Sequence, residues 1–264
     1  MRFDFGQRTT FNSVAELYDE VRPGYPQALI EDTLTLSEIP PDGRILEIGC
    51  GTGKATLPFA RRGYAMLCLE LGDELAAVAA RNCLLYPRVE IQNVSFEDWS
   101  LQRASFDLVI SAQAFHWIPH EIGFPKSAAA LKDTGSIALF WNHYPPQETA
   151  IRGALDQVYR EKAPQLARSP GKTDPEGLIA RTVERIDTSG LFGDVAVRRY
   201  PWTAQYTSEQ YTKLLNTYSD HLSLDEDTRR RLFNAISDRI NEFGGTITRP
   251  YLAVLYLARK KPSS

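Results

Sequence analysis

Glycines at alternate positions interrupt the chain directly after a short apolar run. The run Ile45-Leu46-Glu47-Ile48 is followed by Gly49-Cys50-Gly51-Thr52-Gly53 and then by a stretch with helical composition. Glycine lets the backbone turn tightly and approach a bound molecule without a side-chain clash. The pattern therefore predicts a ligand site at the carboxyl end of a strand, with Glu47 near the end of that strand.

Three kinds of turn share this order of strand, glycines and helix. A phosphate-binding loop needs glycine at position 48 and Ser or Thr at position 55, where this chain has Ile48 and Ala55. A dinucleotide fingerprint needs a third glycine at position 54, which is Lys54. The observed Gly-x-Gly-x-Gly spacing instead suits a ligand without a pyrophosphate. A tight turn that binds nothing is the remaining alternative.

A carboxylate stands at the end of the next apolar run, which covers residues 65–69. Glu70 follows Gly51 by 19 residues, close to the offset at which an acid reaches the ribose of a bound nucleoside. A carboxylate accepts two hydrogen bonds, and a vicinal diol offers two donors. Glu70 is therefore predicted to bind ribose hydroxyls, and a surface acid at a strand end is the alternative.

Apolar runs alternate with helical stretches through the first half of the chain, and they are nearly continuous, as in strands buried on both faces. Strands separated by helices indicate a parallel sheet with right-handed crossovers. The second half predicts a strand at 195–206, helices at about 208–220 and 225–243, and a closing strand at 246–257. The five earlier strands are predicted at residues 44–48, 65–69, 89–92, 106–111 and 136–141.

Composition is that of an ordinary globular chain. The 264 residues are 43 % apolar and 24 % charged, which permits one large domain or a domain with a cap. Thirty Lys and Arg against 33 Asp and Glu give a net charge of −3, so no nucleic acid partner is expected. No apolar run is long enough to span a membrane. The oligomeric state stays open.

Three cysteines carry no recognisable pairing pattern. Cys50, Cys68 and Cys83 match neither a disulfide framework nor the spacing of a zinc site. The first residues also lack the apolar stretch of a secretory signal. We therefore expect reduced thiols, a cytoplasmic location and no metal.

The sequence resembles the class I methyltransferases that use S-adenosylmethionine (SAM). The resemblance is carried by ILEIGCGTGKAT (45–56), LCLEL (67–71), FDLVISAQAFHWI (106–118) and SIALFWN (136–142). The tetrapeptide Ala114-Phe115-His116-Trp117 is similar to the trans-aconitate methyltransferase-like branch of small-molecule enzymes. The resemblance implies an α/β Rossmann-like three-layer sandwich. Its sheet would be seven-stranded and mostly parallel, with an antiparallel closing strand and a helical cap.

The resemblance also implies a cofactor, an acceptor and roles for individual residues. SAM would be the methyl donor, and the acceptor a small molecule with a carboxylate, hydroxyl or amine. The methionine part of SAM would lie against the glycine turn and the end of the fourth strand. The ribose would lie at Glu70, and the adenine beside Leu71, Phe96 and Glu97. The residues expected at the cofactor are Glu47, Gly49, Cys50, Gly51, Gly53, Glu70, Leu71, Phe96, Glu97, Ala112 and Gln113.

Methyl transfer from a sulfonium is an in-line displacement, so much of its catalysis is positioning in a site closed to water. An ionised carboxylate or free amine attacks unaided, whereas an alcohol needs a general base. His116 is the candidate base or orienting donor, Trp117 is expected to line the acceptor pocket, and Tyr18 to cover it from the N-terminal side. A packed histidine without a chemical role is the alternative for His116.

Three regions follow from these assignments. Residues 1–43 would form an N-terminal helical lid, 44–142 the SAM-binding core, and 143–264 the helical cap insertions with the closing strands. Two other function classes stay open: a SAM- or nucleotide-binding module without catalysis, and a methyltransferase that acts on RNA or protein. A nicotinamide dehydrogenase is disfavoured by Lys54 at the third fingerprint position.

Overall fold

A seven-stranded sheet forms the centre of the molecule, in a computed structural model that describes residues 14–147, 149–167 and 174–262. The strands are β1 (Arg44–Ile48), β2 (Ala65–Glu70), β3 (Val89–Asn93), β4 (Phe106–Ala112), β5 (Leu131–His143), β6 (Ala196–Thr207) and β7 (Thr246–Arg259). They lie in the order β3-β2-β1-β4-β5-β7-β6. The predicted fold class is confirmed, including the antiparallel closing strand.

The pairing follows from what each strand buries. Strands β1 to β5 pair in parallel, and β7 pairs antiparallel with both β5 and β6. Residues 106–111 of β4 are buried throughout, as expected for a central parallel strand. On β7, Leu255 and Leu257 face one apolar cluster, while Val254 and Tyr256 face the cluster on the other side of the sheet.

Helices cover both faces of the sheet. Three of them, α2, α3 and α4, contribute to the apolar cluster on one face, and α5 and α7 contribute to the cluster on the other. The helices are α1 (Ala15–Val21), α2 (Gln27–Ser37), α3 (Thr56–Ala60), α4 (Asp73–Asn82), α5 (His120–Ala130), α6 (Ala150–Lys162), α7 (Pro175–Thr188), α8 (Ser208–Leu215), α9 (Ser219–Leu222) and α10 (Glu226–Glu242). Within these ranges, no helix has both the length and the apolar content that crossing a bilayer requires.

A third apolar cluster joins α6, α8 and α10 beyond the carboxyl ends of the parallel strands. The last pair of the β6–β7 ladder is Thr207 with Thr246, so residues 208–245 are a helical insertion in a long hairpin. Thr207 begins the insertion by capping α8, where its side chain and that of Gln210 exchange backbone hydrogen bonds. The insertion and α6 together form the cap over the sheet edge.

The structure corrects several predicted boundaries. Helix α7 begins at Pro175, inside the stretch 164–177 that composition predicts as a loop. Asp174 caps it by accepting a hydrogen bond from Gly177 N at 3.0 Å, and proline suits a first helical position. The predicted helix 208–220 divides into α8 and α9, because the Thr217 hydroxyl donates to the Leu214 carbonyl at 2.7 Å and competes with helix continuation.

Two further differences concern the site-bearing segments. Helix α3 begins at Thr56 instead of residue 54, since residues 51–55 form the turns that follow the strand. Residues 142 and 143, predicted to follow the fifth strand, belong to it, because β7 pairs with them as far as Leu252. Residues 1–13 of the predicted lid and residues 168–173 of the predicted loop lie outside the described residues.

Candidate active site

A cavity of about 390 Å³ opens at the carboxyl ends of β1, β2 and β4. This edge is where ligands bind in open α/β sheets. The strand ends supply one wall, and α1 with the cap supplies the opposite wall. Of the residues predicted for the cofactor or acceptor, the lining includes Gly49, Gly51, Glu70, Leu71, Phe96, Ala112, Gln113, His116, Trp117 and Tyr18.

The glycine turn approaches the end of β4 more closely than a side chain would permit. Gly49 has a φ of +70°, a conformation that residues with a Cβ rarely adopt. A Cβ placed there would lie 2.4 Å from the Cβ of Ala114. The amides of Gly49 and Cys50 both donate to the Leu69 carbonyl, at 2.9 and 3.1 Å, and so fasten the turn to the end of β2.

The Glu70 carboxylate is held beside the glycine turn. Its Oε2 accepts from Gly51 N at 2.8 Å, and its Oε1 accepts from Gly72 N at 3.0 Å. The Asn93 side-chain amide donates to the Glu70 and Leu71 carbonyls, both at 3.0 Å, and ties the end of β2 to β3. These bonds fix a two-oxygen acceptor at the cavity wall.

An apolar surface continues from Glu70 along the cavity. Phe96 is 3 % exposed, and its ring is stacked with that of Trp99 at a centroid distance of 6.1 Å. The Ser95 hydroxyl accepts from Asp98 N at 3.0 Å and so shapes the turn that carries Phe96. Glu97 is absent from the lining, so of the pair Phe96-Glu97 the structure brings only the aromatic residue to the cavity.

Glu47 and Gly53 are absent from the lining of the cavity. The Glu47 carboxyl is completely buried, and its Oε2 accepts from Thr56 Oγ1 at 2.6 Å and from Cys68 Sγ at 3.6 Å. Its Oε1 has no hydrogen-bond partner among the described residues. Burial, opposed by the Thr56 and Cys68 hydrogen bonds, raises the pKa of Glu47 to about 7. Cys50 lines a small cavity of about 40 Å³ beside the same turn.

His116 lies in a single 3-10 turn, residues 115–117, that follows β4. Its Nδ1 accepts a hydrogen bond from Trp141 Nε1 at 3.2 Å, so the proton of the neutral ring is on Nε2. Burial, and then repulsion by the Arg185 guanidinium, lower the pKa of His116 to about 4. The ring is also exposed to solvent, and a pKa below the usual value of 6.5 makes it neutral near pH 7.

The residue directly after β4 has a strained backbone. Gln113 has a φ of +60°, and it lines both the main cavity and the small one. Its backbone N–H donates to the Phe140 carbonyl at 3.0 Å, which holds this conformation. Non-glycine residues in such conformations concentrate at functional sites.

Helix α1 closes the cavity from the N-terminal side. Arg22, which follows α1, donates from Nε to the Thr217 hydroxyl at 2.7 Å and from Nη2 to the Thr217 carbonyl at 2.5 Å. Its guanidinium carbon lies 4.9 Å from the ring centroid of Tyr18. Ion pairs from Asp19 to Lys54 at 3.5 Å and from Glu16 to Arg81 at 2.6 Å hold α1 against the core.

Comparisons with known proteins agree with this geometry. A family model described as a methyltransferase domain matches residues 45–135, which include the glycine turn, Glu70 and His116. The protein named "Probable S-adenosylmethionine-dependent methyltransferase CRG1" of Saccharomyces cerevisiae is 25 % identical over 235 residues, which are 80 % of each chain. The chain is a SAM-dependent methyltransferase.

Other relatives of this methyltransferase match over most of their length. The uncharacterized methyltransferase-like protein C25B8.10 of Schizosaccharomyces pombe is 25 % identical over 244 residues, 91 % of this chain and 88 % of the relative. Among solved structures, YcgJ from Bacillus subtilis is 16 % identical, with a TM-score of 0.54 over 90 % of this chain and 100 % of that one.

A Haemonchus contortus phosphoethanolamine N-methyltransferase 2 is also similar, with 16 % identity and a TM-score of 0.57 over 99 % of this chain and 60 % of that one. It was solved with phosphomonomethylethanolamine and S-adenosylhomocysteine. At these identities, the two structures show that the methyltransferase shares their fold.

Further lining residues lie outside the sets that the sequence assigns to the cofactor and the acceptor. Tyr144, Tyr218, Asp220 and Arg249 of the methyltransferase all line the main cavity. Tyr144 follows β5, Tyr218 and Asp220 belong to the helical insertion, and Arg249 belongs to β7. One signal was present: Arg249 is a cation within the otherwise largely apolar strand 246–257.

The raised pKa of Glu47 predicts a dependence of stability on pH. Below its usual value of 4.5, Glu47 is protonated in both the folded and the unfolded chain. Between pH 4.5 and about 7, the unfolded chain releases a proton that the folded chain keeps, so the free energy of unfolding falls as pH rises, by about 3 kcal/mol. We expect Glu47→Gln to remove this contribution.

Urea unfolding of the parent and Glu47→Gln proteins at pH 4.5, 6 and 8 measures the effect. Glu90→Gln is the matched control, because Glu90 is an exposed acid on β3. Equal pH slopes for the parent and Glu47→Gln proteins would show that Glu47 ionises as freely when folded as when unfolded.

Proposed function

We propose that this methyltransferase transfers the SAM methyl group to a small molecule bound beside the cofactor. One observation carries the proposal: most of the predicted cofactor residues and all of the predicted acceptor residues line a single cavity of about 390 Å³ covered by α1 and the cap. Cavities of this size suit small ligands. A folded RNA or protein surface does not fit into it, although one extended base or side chain would.

We infer that the donor lies along the strand-end wall. Glu70 is suited to the ribose hydroxyls, because its two carboxylate oxygens are held at the wall by Gly51 N and Gly72 N. Leu71 and Phe96 supply an apolar surface for the adenine, and Gly49 and Gln113 border the methionine part together with Gly51 and Ala112. Glu47, Gly53, Cys50 and Glu97 would act by shaping the turns behind this wall.

The acceptor would lie between His116, Trp117 and Tyr18. The Trp141 hydrogen bond leaves the neutral His116 ring with a donor at Nε2, which supports a role in orienting the acceptor. A small acceptor agrees with the resemblance to the trans-aconitate methyltransferase-like branch. It also agrees with the small phosphorylated amine found in the Haemonchus contortus enzyme. The three buried, unbridged cysteines support the proposal of a reducing, cytoplasmic location.

His116 substitutions separate an orienting role from a catalytic base. We expect His116→Ala to lower kcat/KM for the acceptor by roughly tenfold, the loss of one hydrogen bond, with SAM affinity unchanged. His116→Gln should keep most of the activity, because its amide also donates. Steady-state kinetics and calorimetric SAM binding provide the two readouts. A loss in both variants of more than about 100-fold would instead identify His116 as a base.

The proposed function is tested by binding and turnover together. Calorimetry should show that SAM and S-adenosylhomocysteine bind while NAD does not. A screen of small acids, amines and phenols with radiolabelled SAM, trans-aconitate included, should then find a methylated acceptor. SAM binding without a methylated small molecule would favour the non-catalytic module. Label incorporated into total RNA or protein would favour a macromolecular acceptor.

A further inference from the structure

We propose that Lys126 is a positioning residue for the donor: it holds the segment 95–99 in the shape that brings Phe96 to the adenine. This inference rests on the proposed function and deepens it, because it names a residue outside the cavity on which the affinity for the adenosyl group depends. Lys126 is absent from the lining of the main cavity. It belongs to α5, the helix that follows the turn with His116.

The segment 95–99 forms a turn after β3, and its own hydrogen bonds centre on Ser95. Trp99 N donates to the Ser95 carbonyl at 2.9 Å, and Asp98 N donates to the Ser95 hydroxyl at 3.0 Å. The same hydroxyl donates to Asp98 Oδ2 at 2.6 Å. These bonds close the turn at its first residue. The carbonyls of residues 97 and 99 point instead to a partner from another element.

Lys126 is that partner. Its Nζ donates to the Glu97 carbonyl at 2.8 Å and to the Trp99 carbonyl at 2.6 Å. An ammonium carries three N–H donors, so this one side chain satisfies both carbonyls. A main-chain carbonyl that loses its partner inside the protein costs the desolvation of that group. Without the ammonium, the turn would therefore rearrange to bring both carbonyls to water.

The ammonium also lies against the two aromatic rings of the segment. Lys126 Nζ is 5.5 Å from the ring centroid of Phe96 and 5.8 Å from that of Trp99. Ring faces attract a cation at such distances. The two rings are stacked on each other, and the centroid of the Trp99 ring lies 6.1 Å from that of Phe106 on β4. Since Phe96 lines the cavity, the ammonium fixes the surface proposed for the adenine.

Helix α5 keeps its position through packing that does not involve Lys126. The centroid of the Phe124 ring lies 5.0 Å from that of Phe115. A Cβ placed on Gly123 would lie 3.0 Å from Phe115 Cζ, so α5 packs closely on the turn that carries His116. We therefore expect the loss of the ammonium to change donor binding and to leave the His116 turn in place.

Calorimetric titration with S-adenosylhomocysteine tests the inference without relying on turnover. Lys126→Met keeps an unbranched apolar stem but removes the donors, so we expect roughly tenfold weaker binding from the loss of charge-assisted hydrogen bonds. Lys126→Arg should restore most of the affinity, because a guanidinium can also donate to two carbonyls. Lys162→Met, at an exposed lysine in the last turn of α6, is the control and should bind like the parent.

A double-mutant cycle with Phe96→Leu separates positioning from a general loss of structure. If Lys126 acts through Phe96, Lys126→Met should weaken binding by about threefold or less in the Phe96→Leu protein, because the surface that it positions is already altered. Unchanged binding in Lys126→Met, or losses that multiply in the double variant, would overturn the inference. If Lys126→Met does not fold, Lys126→Gln, which keeps an N–H donor without the charge, takes its place in the cycle.

The two proposals fail in different ways. Binding of S-adenosylhomocysteine by Lys126→Met as tight as that of the parent contradicts the positioning role and leaves the proposed function intact. The expected loss in Lys126→Met, together with no methylated small acceptor, contradicts the proposed function alone.

Discussion

We expect Gly49→Ala to destabilise the protein by about 3 kcal/mol and to abolish SAM binding. A left-handed alanine costs about 1–2 kcal/mol, and overpacking against the Ala114 Cβ at 2.4 Å adds about 1–3 kcal/mol. Moving the turn to relieve this contact would also move the Gly51 amide that Glu70 holds. The loss of binding therefore follows from the same displacement.

Gly63→Ala is the matched control, because Gly63 has a φ of +85° and would place a Cβ in open space. It carries the backbone strain without the clash, so we expect a loss of about 1 kcal/mol and normal SAM binding. Urea unfolding and calorimetry measure both variants. Equal losses of stability in the two variants would mean that the turn has room beside Ala114.

The second large effect is expected at Glu70. Glu70→Ala should weaken SAM binding by roughly 10- to 100-fold, because it removes the charge-assisted hydrogen bonds proposed to the ribose and also the carboxylate that holds the Gly51 and Gly72 amides. Glu70→Gln keeps the shape and one acceptor oxygen, so its loss should be smaller.

Calorimetric titration with SAM checks this order, with Glu90→Ala on the neighbouring strand β3 as the control. An affinity for SAM that is unchanged in Glu70→Ala would remove Glu70 from the donor site and would reopen the assignment of the strand-end wall. A loss that is equal in Glu70→Ala and Glu90→Ala would point to a general effect of charge.

The parts of the site that the sequence revealed are local in the chain. The glycines follow a strand directly, and Glu70 ends the next one, so spacing alone brings them to one sheet edge. The orientation of the Glu47 side chain could also be predicted from the sequence. Side chains alternate along a strand, and Ile48 faces the apolar cluster opposite to that of Ile45, so Glu47 points away from Ile48 and toward α3.

The part of the cavity wall that involves the cap could not be derived in this way. Arg22 meets Thr217 across 195 positions of sequence, and Arg249 meets Tyr218 across 31. Those contacts depend on how the cap packs on α1 and on β7, which no local pattern encodes. Helix α7 was missed for a different reason: the composition around Pro175 is typical of a loop until the cap at Asp174 is recognised.

The insertion between β6 and β7 supplies part of the cavity wall from one continuous stretch of sequence. Residues 208–245 leave and re-enter the sheet at one paired position, Thr207 with Thr246, and they carry Tyr218 and Asp220 into the cavity. Descendants of such a chain can exchange this insertion as a cassette, while the strands that lead to the glycine turn and to Glu70 stay unchanged. An engineer who grafts another cassette must also match α1 and α6, against which its helices pack.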